Sequence, residues 1–183
     1  FSFPLPERSA VCGYALDVGG RMVDGVAIDK VKARKVFEKE VRRRIDPGLL
    51  EATEGNCFRT RIFPIPAHGA RTVMVEYVNE VGQGEKGDLY RMPLAFGKVD
   101  RLALHVEVDD GNAAPHMSSA SGLPLVFTRG EDGFVAEMRR DDVKLGDDLV
   151  IGLAPQSKPL VRVQEARDGM TYFCIADTPN LPK

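Results

Sequence analysis

Residues 31–66, VKARKVFEKEVRRRIDPGLLEATEGNCFRTRIFPIP, constrain this chain more than any other stretch. They open on the one convincing helix pattern. Ala33, Val36, Phe37, Val41 and Ile45 recur every three or four residues and so share a face, while Lys32, Lys35, Glu38, Lys39, Arg42 and Arg43 fill the rest. The pattern predicts a helix over residues 30–45. Asp29 is placed to cap it, because a carboxylate there accepts from the free amides of the first turn. Arg42, Arg43 and Arg44 fall in the last turn, where the helix dipole favours cations. Pro47 lacks a donor and pushes Asp46 out of the helical region, so Asp46-Pro47-Gly48 ends the helix. A strand pattern follows in residues 58–63, closed by Pro64-Ile65-Pro66. A single amphipathic helix between strands is expected to lay its apolar stripe over a sheet, with Phe37 buried at its middle.

The remaining signals are those of strands and turns. Phe1-Ser2-Phe3-Pro4-Leu5-Pro6 is extended and suits an edge. Residues 10–18 and 21–28 flank Gly19-Gly20 and read as a hairpin, with Cys12, Tyr14, Leu16 and Val18 as its core face. Residues 71–81 alternate Val73, Val75 and Tyr77 against Thr72, Met74 and Glu76, and are expected beside the strand of residues 62–65. Residues 82–88 read as a loop. Residues 89–94 then re-enter as a strand, with Pro93 at an edge. From Val99 a second half begins. Leu102, Leu104, Val106 and Val108 point inward, and Asp109-Asp110-Gly111-Asn112 breaks the run. Residues 113–122 are an irregular connection. Further strands are expected at residues 125–127, 134–138, 148–153 and 170–176, with residues 158–164 and Gly169 in turns. Strands about every ten residues with turns between them indicate a sandwich.

Six stretches taken in order resemble the VIT domain, the vault protein inter-alpha-trypsin domain of inter-alpha-trypsin inhibitor heavy chain-like proteins. They are Phe3-Pro4-Leu5-Pro6, the glycine-punctuated hairpin of residues 11–26, Ala33 to Glu38 on the helix, a Gly48-Leu49-Leu50-Glu51 turn, Phe58 to Pro66, and Arg71 to Tyr77. The resemblance covers residues 1–80 directly. It implies an antiparallel β-sandwich with one amphipathic helix over residues 1–97, then a second, sandwich-like β-rich half over residues 98–183. It also implies a von Willebrand factor type A domain just C-terminal, for which Tyr172 to Ala176 and the proline-rich tail would be the lead-in. The chain opens without a methionine, as if in mid-domain, so an upstream segment is expected as well.

Function classes narrow by exclusion. A net charge of −2 is no footprint for nucleic acid, and Arg42–Arg44 alone reads as a solvated helix end. No apolar run approaches the roughly 20 residues of a membrane helix. Cys12, Cys57 and Cys174 lack metal-ligand spacing and are expected as buried free thiols, a Cys12–Cys57 bridge being the alternative. His68, His105 and His116 are far apart in sequence and read as turn or strand-surface residues. Ser118, Ser119 and Ser121 lack a nucleophile-elbow context, and there is no phosphate-cradling glycine loop. Asp109-Asp110, Asp141-Asp142 and Asp147-Asp148 read as solvated turns rather than calcium ligands, since no twelve-residue loop ending in Glu surrounds them. With no Trp and four Tyr, a carbohydrate-stacking platform is poorly supplied. No catalytic, cofactor or metal residue is assigned. The expected function is a non-catalytic protein-interaction or scaffold module that packs on an adjacent von Willebrand factor type A domain or on other chains. The alternative is a hydrolytic or metal-assisted enzyme whose His and Asp residues come together on folding.

Overall fold

The computed structural model describes residues 1–43, 47–84, 87–109, 113–117, 123–154, 160–165 and 169–176. Its elements are mainly strands, and every strand pairing is antiparallel. The first part holds β1 (Ser2–Pro4), β2 (Ala10–Val18), β3 (Arg21–Asp24), α1 (Lys30–Arg42), β4 (Gly48–Ala52), β5 (Cys57–Ile62) and β6 (Val73–Val78). They form two three-stranded sheets, ordered β1-β5-β4 and β3-β2-β6. A hydrogen bond of 2.9 Å between the hydroxyls of Tyr14 on β2 and buried Thr60 on β5 links the two sheets. Gly48 comes so close to the Tyr14 ring and Leu16 that a Cβ there would sit 3.0 Å from the Tyr14 hydroxyl. Phe3, Leu5, Ala15, Leu16 and Leu49 are the buried apolar residues of this part.

The second part holds β7 (Gly82–Gly84), β8 (Gly87–Met92), β9 (Gly97–Asp109), β10 (His116–Met117), β11 (Thr128–Arg129), β12 (Gly133–Leu145) and β13 (Leu149–Gly152). Its two sheets are ordered β10-β13-β8-β7 and β11-β12-β9. They share one core of Leu94, Leu123, Leu125, Ala136, Met138, Leu145, Leu149 and Ile151, flanked by the inward residues of β9, Leu102, Leu104 and Val106. That arrangement is a sandwich, and the alternation that defined β9 in sequence holds over residues 101–109. A separate hairpin, β14 (Leu160–Glu165) with β15 (Thr171–Ala176), follows. No sheet among the described residues mixes strands before residue 79 with strands after residue 81, or either group with the hairpin.

Several expectations need correction. The helix is capped by Asp29 as expected, its carboxylate accepting from the amides of Val31 at 3.0 Å and Lys32 at 3.1 Å. It does not lie deep, however, and none of its residues is buried. Ala33, Phe37, Glu40 and Val41 form the half-buried face, whereas Val36 is 43% exposed. A 3.6-residue period reveals which way a helix faces but not how far it sinks. Ile45 lies outside the described residues. Gly48-Leu49-Leu50-Glu51 is a strand rather than a turn, because Leu49 and Glu51 point inward against β5. Residues 71–78 pair with β2 and not with the strand of residues 57–62. Residues 82–84 are an edge strand rather than loop, and residues 160–165 are a strand rather than a turn. No strand forms at residues 125–127, although Leu125 is buried. A bulge between Val11 and Gly13 breaks the hairpin's alternation, so Cys12 leaves the core face and is exposed.

Candidate interaction surface

The anchorage of α1 is the most developed polar cluster in the first part. Glu51 projects from β4 into a buried position. Its carboxylate accepts from Arg34 Nε of the helix at 2.5 Å and lies 3.6 Å from Arg61 Nη2 of β5. A buried carboxylate requires such partners, since an unpaired charge there is strongly disfavoured. Lys30 Nζ donates to the Ala52 carbonyl at 3.2 Å, so the helix is fastened to β4 at two points. This cluster is structural: its charges face one another and leave no group aimed at a ligand.

The histidines stand on separate elements. His68 occupies an exposed turn with φ of 54°, and His116 lies on β10, opposite Gly152. His105 sits on the outer face of β9, its Nε2 2.8 Å from Glu107 and its Nδ1 2.9 Å from Glu137. Hydrogen bonds to Glu107 and then Glu137 hold the His105 pKa above its ordinary value of 6.5. The three histidines therefore build no shared site with an aspartate among the contacts described. Among the described residues, no three His, Cys, Asp or Glu side chains gather as a metal-ligand set. Asp110, Gly111, Asn112 and the run Ser118–Ser121 lie outside the described residues. The cysteines are all free, but Cys12 and Cys174 are exposed and Cys57 is half-buried, which corrects the expectation of buried thiols.

Two surfaces remain. A cleft of about 900 Å³ lies where the segment Leu5-Pro6-Glu7-Arg8 and residues 79–82 meet Leu89, Arg91 and Pro93. Four of its charged residues pair with one another, Arg91 with Asp148 at 2.8 Å and Arg8 with Glu80 at 3.9 Å. The other surface is the β14–β15 hairpin. Val161, Val163, Tyr172, Phe173 and Ile175 are all exposed, Phe173 by 73%. Tyr172 and Phe173 are neighbours in one strand and so point to opposite faces, which leaves apolar side chains exposed on both sides of the ribbon. A two-stranded ribbon is at best marginally stable in water, and exposed apolar surface of this kind marks a contact site. The strand expected at residues 170–176 is present, and residues 160–165, expected as a turn, are its partner. The signal was present in Val161 and Val163, two apolar residues spaced for one face.

No helix among the described residues is long and apolar enough to cross a membrane. No curated protein and no solved structure matches the chain. A family model does match, that of the Vault protein inter-alpha-trypsin domain, over residues 1–77. Those residues are β1 to β6 with α1, less the last residue of β6, so the match coincides with the first pair of sheets. Domains of this family occur beside von Willebrand factor type A domains and are in general non-catalytic modules. Over its first 77 residues the chain is similar to the VIT domain family.

Proposed function

We propose that this protein is a non-catalytic interaction and scaffold module that packs on an adjacent von Willebrand factor type A domain. The observation that carries the reading is the β14–β15 ribbon, whose apolar residues are exposed on both faces. Such a ribbon gains stability when a second surface removes those side chains from water, at roughly 25 cal/mol per Å² of apolar area covered. The family match supports the kind of partner. The division of the chain is part of the same proposal. It takes residues 1–97 as the VIT core and residues 98–183 as a second β-rich half, and is supported by the change of sheet membership after β6.

The test is a calorimetric titration of the chain with an isolated von Willebrand factor type A domain taken from a VIT-containing protein. Binding is expected, and it should be lost in Phe173→Ser/Ile175→Ser with the main thermal transition unchanged. A chain that shows no binding, or a double variant that binds as well as the parent, would refute the reading.

A further inference from the structure

Helix α1 separates its charges. Lys30 and Arg34 are engaged with β4, as described above. At 3.6 residues per turn, Lys32, Lys35, Lys39, Arg42 and Arg43 fall within an arc of roughly 100°. That arc is opposite the line of Ala33, Phe37 and Val41, which packs toward the fold. All five are exposed. Of the two acids in the helix, Glu38 lies at the edge of this arc and Glu40 on the half-buried side, where it meets Arg43 at 3.6 Å. Among the described residues, Lys32, Lys35, Lys39 and Arg42 make no ion pair. Like charges therefore stack at three- and four-residue spacing, Lys32 on Lys35, Lys35 on Lys39, and Lys39 on Arg42 and Arg43. Each such pair is mutually repulsive, although the helix dipole favours the cations of the last turn, Lys39 and Arg42. An anionic surface laid against this face would relieve the repulsion.

We propose that the outward face of α1 docks on an acidic protein surface. The structure favours a protein over the other polyanions. A helix that binds lipid must bury an apolar face, and here that face is turned toward β4. Nucleic-acid binding is disfavoured by the net charge of −2 and by the lack of any aromatic residue on the cationic arc. Charge complementarity of this type sets the rate and orientation of encounter more than final affinity. The inference rests on the reading of the chain as an interaction module and adds a second contact, separate from the ribbon.

The test uses poly-L-glutamate as the acidic polypeptide, with phosphatidylcholine–phosphatidylserine vesicles and duplex DNA run in parallel. The chain should bind polyglutamate in a salt-sensitive way, since exposed charges are screened beyond about 10 Å at 0.1 M ionic strength. Lys35→Glu/Lys39→Glu should weaken that binding by about tenfold or more, with the folded far-UV circular dichroism spectrum retained. Lys39→Gln, a milder change, should weaken binding in the same direction. Absence of polyglutamate binding, equal binding by the charge variants, or tighter binding to vesicles or DNA would each overturn the proposal. Phe173→Ser/Ile175→Ser should keep full polyglutamate binding. If the type A domain fails to bind while polyglutamate binding behaves as stated, the module's proposed partner is wrong and the helix surface stands. If only polyglutamate binding fails, the reverse holds.

Discussion

Tyr77 and Tyr90 share a hydroxyl–hydroxyl hydrogen bond of 2.7 Å. It joins the last residue of the VIT match, on β6, to a strand of the next sandwich, β8. Burial raises the Tyr90 pKa well above the ordinary 10.0, and the bond to Tyr77 raises it further. Folding therefore favours the neutral phenol. The contribution is complete below the ordinary tyrosine value and is lost as pH climbs through the folded one. Alkaline ultraviolet titration should show one tyrosine ionising only as the protein unfolds. In Tyr77→Phe that tyrosine should ionise at lower pH, and an unchanged titration curve would refute the coupling.

His105 makes the complementary case near neutrality. Its two glutamate partners favour the imidazolium, so its pKa is raised above 6.5. The stabilisation is fully present below that value and is lost as pH rises through the folded pKa. Proton NMR should place the His105 titration above the ordinary histidine value of 6.5. Glu107→Gln should lower it more than Glu137→Gln does, because Glu107 is the larger cause.

Depth of burial separates two core predictions. Leu149, 2% exposed within the second sandwich, should cost about 2–5 kcal/mol on truncation to Ala. Phe37 is only half-buried on α1, so Phe37→Ala should cost about 1–2 kcal/mol, below the usual range for a fully buried aromatic. Urea midpoints of the two variants settle the order, and a larger loss at Phe37 would mean the helix packs more tightly than its exposure indicates.

Glu51 should be the most sensitive polar residue of the first part. Glu51→Gln leaves Arg34 and Arg61 without their shared counter-charge and should cost about 1–3 kcal/mol by urea denaturation. Arg34 is half-exposed, so water recovers part of the loss on its side. Arg34→Ala should also destabilise, because it removes one of the two points that fasten the helix to β4.

Gly133 tests close backbone approach. A Cβ there would lie 2.0 Å from the Val108 carbonyl oxygen, a backbone atom that cannot swing away. Gly133→Ala should therefore destabilise by about 1–3 kcal/mol or more in thermal unfolding. Gly146, with nothing near its Cβ position, is the neutral control.

Legibility in the sequence followed how local the governing physics is. The Asp29 cap and the long alternation of β9 depend on neighbouring residues alone, and both are visible in the letters. Gly48–Ala52 and Gly82–Gly84 are glycine-containing and short, and pairing with β5 and β8 is what makes them strands. Cys12 is turned outward by a bulge visible only in the pairing across the sheet, where Val11 faces Tyr77 and Gly13 faces Glu76. Exposure of α1 and of the β15 residues is likewise a property of what does or does not lie opposite them. No pattern within residues 30–42 or 171–176 records that.

The sequence-contiguous sheets have a consequence for synthesis. Every partner that β1 to β6 require has been made once residue 78 has left the ribosome, so the first two sheets can close their hydrogen-bond ladders before the rest exists. The next sandwich is less fortunate. β8 must wait for β13, and Leu149 pairs with Met92 across more than fifty intervening residues. During that interval β8 has only the three-residue strand β7 beside it, and its other edge is open to any strand in reach. A nascent chain halted between these two strands keeps that edge of β8 unpaired and open to misassembly.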